Sequence, residues 1–285
     1  KNPARENRFI YHKLDLNKDL GRIIDITLQE KPEFLVDFAG QGMVAQSWDW
    51  PEQWYQTNIV SKVTLHNALK NFKFLKCYVR ISTPEVYGDC PTLISENSVY
   101  NPSTPYAVSH AAVDMSLASF FRQYRFPVIF TRFANFYGPY QQLYRIIPKT
   151  VISALTLDTL YLDGGGKSVR AFIHGSDVAE GVWKSITSGK HGETYHFSTS
   201  EFVKICDLVS MISKRLGVPM EKFVKLSPER PGQDHAYLMD AQKANQELDW
   251  YPKYDLEKGL DETVNWIAGN IDAIKNLPQK YAHKV

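Results

Sequence analysis

Leu75-Lys76-Cys77-Tyr78-Val79-Arg80-Ile81-Ser82-Thr83-Pro84-Glu85-Val86-Tyr87-Gly88 begins as an apolar run and closes on a hydroxyl, a proline, a carboxylate and a turn glycine. Its first half, a largely apolar run from Leu75 to Ile81, reads as a strand. After a loop, Pro105-Tyr106-Ala107-Val108-Ser109-His110 opens a stretch of helical spacing. Tyr106 and His110, four residues apart, then share one helix face. A strand end that carries Thr83 and Glu85 opposite a helix-borne Tyr106 is suited to proton transfer. A phenol exchanges protons with a hydroxyl, and a carboxylate takes a carbon-bound proton.

Outward from this pair, strand and helix patterns alternate. Arg8–His12, Phe34–Phe38, Leu75–Ile81 and Pro127–Arg132 read as strands, and Leu20–Glu30, Trp54–Asn71 and Tyr106–Tyr124 as helices. Such alternation builds a doubly wound α/β fold, a Rossmann-like parallel sheet with helices on both faces. Beyond about Leu155 the pieces shorten. A Gly164-Gly165-Gly166 turn precedes a strand near Val169–Ile173, a helix over Asp177–Ser188, a strand over Thr194–Phe197 and a helix over Val203–Leu216. The expected division is a cofactor domain over 1–156 and a smaller substrate lobe over 157–285, with the last helix, Leu256–Ile274, returning to the sheet.

Composition narrows the partners. The chain has 285 residues, 44% of them hydrophobic, with 33 Lys plus Arg against 31 Asp plus Glu. This near balance creates no field for nucleic acid or an anionic membrane, so an anionic ligand must be met by individual arginines. Three cysteines, Cys77, Cys90 and Cys206, lack metal or disulfide spacing, and the eight histidines show no metal pattern. No apolar run approaches the roughly 18 residues of a membrane span, and no signal peptide is recognisable, so a cytoplasmic protein is expected.

The Ser-Thr-Pro-Glu-Val-Tyr-Gly and Tyr-x-x-x-His segments resemble the extended short-chain dehydrogenase/reductase family, most closely its nucleotide-sugar 4,6-dehydratases, the dTDP-glucose and GDP-mannose enzymes. Their pattern reads Ser-Thr-Asp-Glu-Val-Tyr-Gly and then Tyr-x-x-x-Lys. Pro84 stands where those dehydratases carry Asp (Ser in the GDP-mannose enzymes), and His110 where nearly all members carry Lys. The resemblance spans essentially the whole chain from the family's third strand onward. The family's opening Gly-x-x-Gly-x-x-Gly turn has no counterpart in the sequence. The expectation is a piece of a longer chain rather than a protein that has lost its pyrophosphate cradle.

The resemblance implies NAD as cofactor and a nucleotide-diphospho-sugar as substrate. It gives Tyr106 the C4 hydroxyl proton, Glu85 the C5 proton and Thr83 a bond to the C4 oxygen. His110 takes the place of the Lys that lowers the tyrosine pKa and holds the nicotinamide ribose. The same alignment of motifs places Asp15 and Leu16 at the adenine, and Phe38, Ala39, Gly40 and Asn58 beside the cofactor ribose, together with Tyr106 and His110. Asn135, Arg145, Arg170 and Arg230 fall at the glycosyl diphosphate, where guanidinium forks match phosphate oxygens. A homodimer through Trp54–Asn71 and Tyr106–Tyr124 is also implied. Three other readings stay open: a nucleotide-sugar epimerase, a UDP-glucuronate decarboxylase, and a catalytically silent nucleotide-sugar binding protein. Pro84 cannot donate a proton, and Arg170-Ala171-Phe172 looks somewhat more like the epimerases and decarboxylases.

Overall fold

The computed structural model describes residues 9–229, 232 and 234–283. In chain order its elements are α1 (Leu20–Glu30), β1 (Phe34–Asp37), α2 (Pro51–Tyr55), a π-helical stretch (Gln56–Ser61) and α3 (Lys62–Leu69). β2 (Cys77–Ser82), a 3-10 turn (Pro84–Tyr87), β3 (Cys90–Ile94), α4 (Pro105–Tyr124), β4 (Val128–Phe133) and β5 (Asn135–Tyr137) follow. Then come α5 (Ile146–Thr156), β6 (Leu160–Asp163), β7 (Val169–His174), α6 (Gly175–Ser188), β8 (Thr194–Phe197), β9 (Phe202–Lys204) and α7 (Ile205–Leu216). β10 (Val224–Ser227), β11 (Tyr237–Met239), α8 (Gln242–Leu248), α9 (Leu256–Gly269) and α10 (Ile271–Ile274) complete the order.

A parallel sheet in the order β1-β2-β4-β8 forms the frame. Val79 lies opposite Val36 on one side and Ile129 on the other. Because successive strand residues point to opposite faces, Val79 and Ile129 join Val178, Val182 and Phe197 in one core. Tyr78, Val128 and Phe130 join Leu65, Leu69 and Leu117 in another. Helices therefore cover both faces, as a doubly wound fold requires. α4 starts where Thr104 accepts from the Ala107 N–H and Pro105 fills the first helical position.

Three expectations are corrected. Phe9 to His12 form no strand, and Phe9, Ile10 and Tyr11 are exposed; their backbone finds no strand partner among the described residues. The helix expected from Val203 starts at Ile205, because Phe202 and Val203 pair antiparallel with Ala171 and Arg170. The terminal helix does not return to the main sheet. It breaks at Asn270, and α9 packs on α5, α7 and β7, with Leu260, Val264 and Ile267 against Ile147, Phe172 and Leu208. Conversely α6 covers the main sheet, which β8 extends as its outer strand. The elements after Leu157 thus serve both lobes.

Candidate active site

The carboxyl ends of β2 and β4, the first turn of α4 and the start of α5 surround a cleft of ≈ 410 Å³. Clefts of doubly wound sheets open at this end of the strands. Thr83, Glu85, Tyr106, Asn135, Arg145 and Arg170 all line it. Thr83 is buried and caps the 3-10 turn, its hydroxyl accepting from the Glu85 N–H at 3.3 Å. Thr83 and Tyr106 both line the cleft. Burial raises the phenol above its ordinary pKa, and the nearby Glu85 carboxylate raises it further, against smaller opposing effects from Thr83 and Arg145. Residues that sequence reading drew from two distant segments therefore meet at one point.

The arginines of the cleft are held in place. Arg170 donates to the carbonyls of Val169 (2.8 Å), His235 (3.1 Å) and Asp234 (2.7 Å), with its guanidinium 4.2 Å from the Tyr237 ring centroid. Tyr237 in turn donates its hydroxyl proton to Asn135 Oδ1 at 3.0 Å, which fixes the amide so that its NH2 is the free end for an acceptor. Arg145 precedes α5, whose first residues, Ile146 and Ile147, also line the cleft. A helix N-terminus and two arginines suit an anion. Arg230 lies outside the described residues; Gly232 and Asp234 of the same turn line the cleft.

The cofactor residues separate into two groups. Phe38, Ala39 and Gly40 are exposed at the carboxyl end of β1. A Cβ on Gly40 would meet Asn58 Oδ1 at 2.9 Å, so the backbone lies directly on the helix behind it. Asn58 corrects its expected role. It is fully buried, accepts from the Gln41 N–H at 2.8 Å, and donates to Gln41 O at 3.0 Å and Ser109 Oγ at 2.9 Å. It shapes the loop rather than offering groups to a ligand. Asp15 accepts from the Asn17 and Lys18 N–H groups and closes a turn, and Leu16 packs beside α1 and α3. Phe38 to Gly40 thus leave their backbone accessible, and Tyr106 and His110 stand side by side on α4.

His110 departs from expectation. Arg80 Nη2 lies 3.0 Å from its Nδ1, and its ring centroid is 4.6 Å from that of Tyr106. Burial, then Arg80, Lys62 and Arg132, hold the imidazole well below its ordinary pKa. It is neutral at physiological pH and supplies no cation in place of the family lysine. The positive charge sits beneath it instead. Asp114 accepts from Arg80 Nε (3.2 Å), Arg132 Nη2 (3.1 Å) and Ser82 Oγ (2.5 Å), and Asp37 pairs with Lys62 at 2.6 Å and accepts from Tyr78 at 2.8 Å. Sequence reading missed this network. Its signal was available: a charged Arg80 inside a strand buried on both faces must be paired, and Asp114 repeats the spacing of Tyr106 and His110 on α4.

The model of the family described as GDP-mannose 4,6 dehydratase matches residues 1–263. The chain belongs to this family. A dTDP-glucose 4,6-dehydratase of Shigella flexneri is 32% identical over 277 residues, 88% of this chain and 77% of the relative. One from Escherichia coli K12 is 31% identical over 95% of this chain and 81% of its own. Among solved structures, the dTDP-glucose 4,6-dehydratase DesIV of Streptomyces venezuelae, with NAD and TYD bound, superposes with a TM-score of 0.88 at 29% identity, covering 94% of this chain and 82% of that one. A UDP-glucose 4-epimerase of Thermotoga maritima, with UDP-glucose, gives 0.85 at 25% identity over 92% and 85%. The expected fold class and family are borne out. Among the described residues, no helix is long and apolar enough to cross a membrane.

Proposed function

We propose that this family member is an NAD-dependent nucleotide-diphospho-sugar 4,6-dehydratase. The observation that carries the reading is the meeting of Thr83, Glu85 and Tyr106 in one cleft that Arg145 and Arg170 also line. The names of the two curated relatives reported above support the same activity. The chemistry supplied by NAD when bound is a reversible hydride acceptor with a positively charged ring. Phe38, Ala39, Gly40, Tyr106 and His110 would hold that end. Tyr106 Oη takes the C4 hydroxyl proton while Thr83 orients the C4 oxygen. The ketone formed at C4 acidifies the neighbouring C5 proton, which Glu85 accepts and delivers to the departing C6 hydroxyl, so that water leaves. Arg145, Arg170 and the amide of Asn135 hold the diphosphate, with most of the segment after Leu157 serving the sugar-nucleotide side.

A second reading, a 4-epimerase, has one observation in its favour. Pro84 lines the cleft immediately before Glu85, where a departing hydroxyl would need a proton donor. Incubation with NAD and a panel of nucleotide sugars in deuterated water separates the two. A dehydratase releases a product one water lighter with deuterium at C5; an epimerase conserves mass. Tyr106→Phe should lower turnover by about a hundredfold or more with nucleotide-sugar affinity retained; full activity would overturn either enzymatic reading.

The assembly follows the same reasoning. Val60 beside α3, and Val108 and Met115 on α4, are 52%, 37% and 63% exposed, apolar surface that a two-fold dimer through these helices would cover. Light scattering at micromolar concentration should give twice the chain mass.

A further inference from the structure

The contact between Arg80 and His110 determines a proton position that no sequence motif records. A guanidinium has only N–H donors and no lone pair to offer. With Arg80 Nη2 at 3.0 Å from His110 Nδ1, the imidazole nitrogen must be the acceptor, so Nδ1 carries no proton. A neutral ring then carries its one proton on Nε2. We infer that Arg80 is a positioning residue that locks His110 as the neutral Nε2–H tautomer, so that the site offers one uncharged N–H donor beside Tyr106. This rests on the proposed function only for its consequence at the cofactor; the tautomer itself depends on neither NAD nor sugar.

The lock is rigid because Arg80 is held elsewhere. Its Nε donates to Asp114 at 3.2 Å and its Nη1 to the Ile81 carbonyl at 2.7 Å, and its side chain is 1% exposed. Rotation of the guanidinium away from His110 would break both bonds. Protonating Nδ1 would set two N–H groups against each other. The other charges around the ring reinforce this. Arg80 faces it from β2, Lys62 from α3 and Arg132 from β4, all cationic. On its own helix are the Tyr106 ring and Asp114, the latter already shared by both arginines. Asp37 on β1 lies 2.6 Å from Lys62 and 3.7 Å from Arg80. The nearest carboxylates are therefore committed to other cations, and none stabilises an imidazolium.

The functional consequence is a division of labour. A lysine in this place would combine charge and hydrogen bond in one ammonium. Here the charge stays in the buried guanidinium, and His110 passes on only the hydrogen bond. The bond to the cofactor side should then be independent of pH across the physiological range.

Long-range proton–nitrogen NMR of the histidine-labelled protein tests this directly, with the His110 signals assigned by their loss in His110→Gln. The expected spectrum shows an unprotonated Nδ1 and a protonated Nε2, unchanged from about pH 5 to about pH 9. In Arg80→Met the two tautomers should mix, and the ring should begin to titrate within about pH 5 to 7. The rate–pH profile, flat near the ordinary histidine pKa in the parent, should gain an acid limb in that variant. A protonated Nδ1, or a parent His110 that titrates between about pH 5.5 and 7.5, overturns the inference. If Arg80→Met does not fold, the parent spectrum decides alone. If the tautomer is as inferred but no nucleotide sugar is turned over, the functional reading fails and this one stands.

Discussion

Tyr106 and His110 show how one substitution redistributes charge at a site. With the phenol raised by burial and by Glu85, and His110 neutral against Arg80, the protein by itself keeps the tyrosine protonated. Restoring the family lysine alone should therefore harm the protein. His110→Lys places an ammonium in contact with Arg80 and close to Lys62 and Arg132, an unpaired buried charge that should cost about 3 kcal/mol or more in urea unfolding. His110→Gln, whose amide oxygen accepts from Arg80 and whose NH2 donates outward, should unfold within about 1 kcal/mol of the parent. Equal stability of the Lys variant would show that the guanidinium network relaxes. On the phosphate side, Arg170→Ala should weaken nucleotide-sugar binding by about tenfold. Calorimetry reading an unchanged affinity would place the diphosphate elsewhere.

At the scale of elements, β2 and α4 carry both the chemistry and its support. Alternate residues of β2 serve different tasks: Val79 packs in the core, while Arg80 and Ser82 turn to Asp114 on α4. Asp114 is thus a clamp between strand and helix that keeps Tyr106 opposite Thr83. Asp114→Asn keeps the shape but leaves two guanidiniums without their shared carboxylate, and should destabilise by about 3 to 5 kcal/mol. A loss below about 1 kcal/mol would mean that Arg80 and Arg132 find other partners. The strands and helices were legible because their apolar periodicity is set by burial on two faces, and Leu20–Glu30 and Thr194–Phe197 fall where periodicity placed them. Phe202 and Val203 were not legible as a strand, because a three-residue segment gains its conformation only from pairing with β7. Asn58 was misread for a related reason: sequence shows its amide but not the Gln41 loop and Ser109 that use it.

Across the whole molecule, the main sheet rests on a buried array of opposite charges, and this gives its stability a defined response to pH. Burial and Arg80 push the Lys62 ammonium down from 10.5 to about 8, against the pull of Asp37. Burial alone would raise the Asp37 carboxyl, but Lys62 and Arg80 outweigh it and hold it below its ordinary value. For Lys62 the folded pKa is the lower one, so between the two values the unfolded chain binds more protons than the folded chain. Stability from this group therefore rises with pH, starting near about 8 and ending near 10.5. Cys77, raised to about 11, and Tyr237, raised to about 12, act with the opposite sign above their ordinary values. They do so equally in a Lys62→Met variant, so the difference between the two proteins isolates the ammonium. From about pH 8 to about pH 9.5 the parent should gain about 1 to 2 kcal/mol relative to Lys62→Met in urea unfolding. For Asp37 the sign is reversed: its contribution is present above its unfolded value of 3.8 and is lost as pH falls through the lower folded value. A parent and variant with parallel curves above about pH 8 would mean that water reaches Lys62 and that the array under Tyr106 is not closed to solvent.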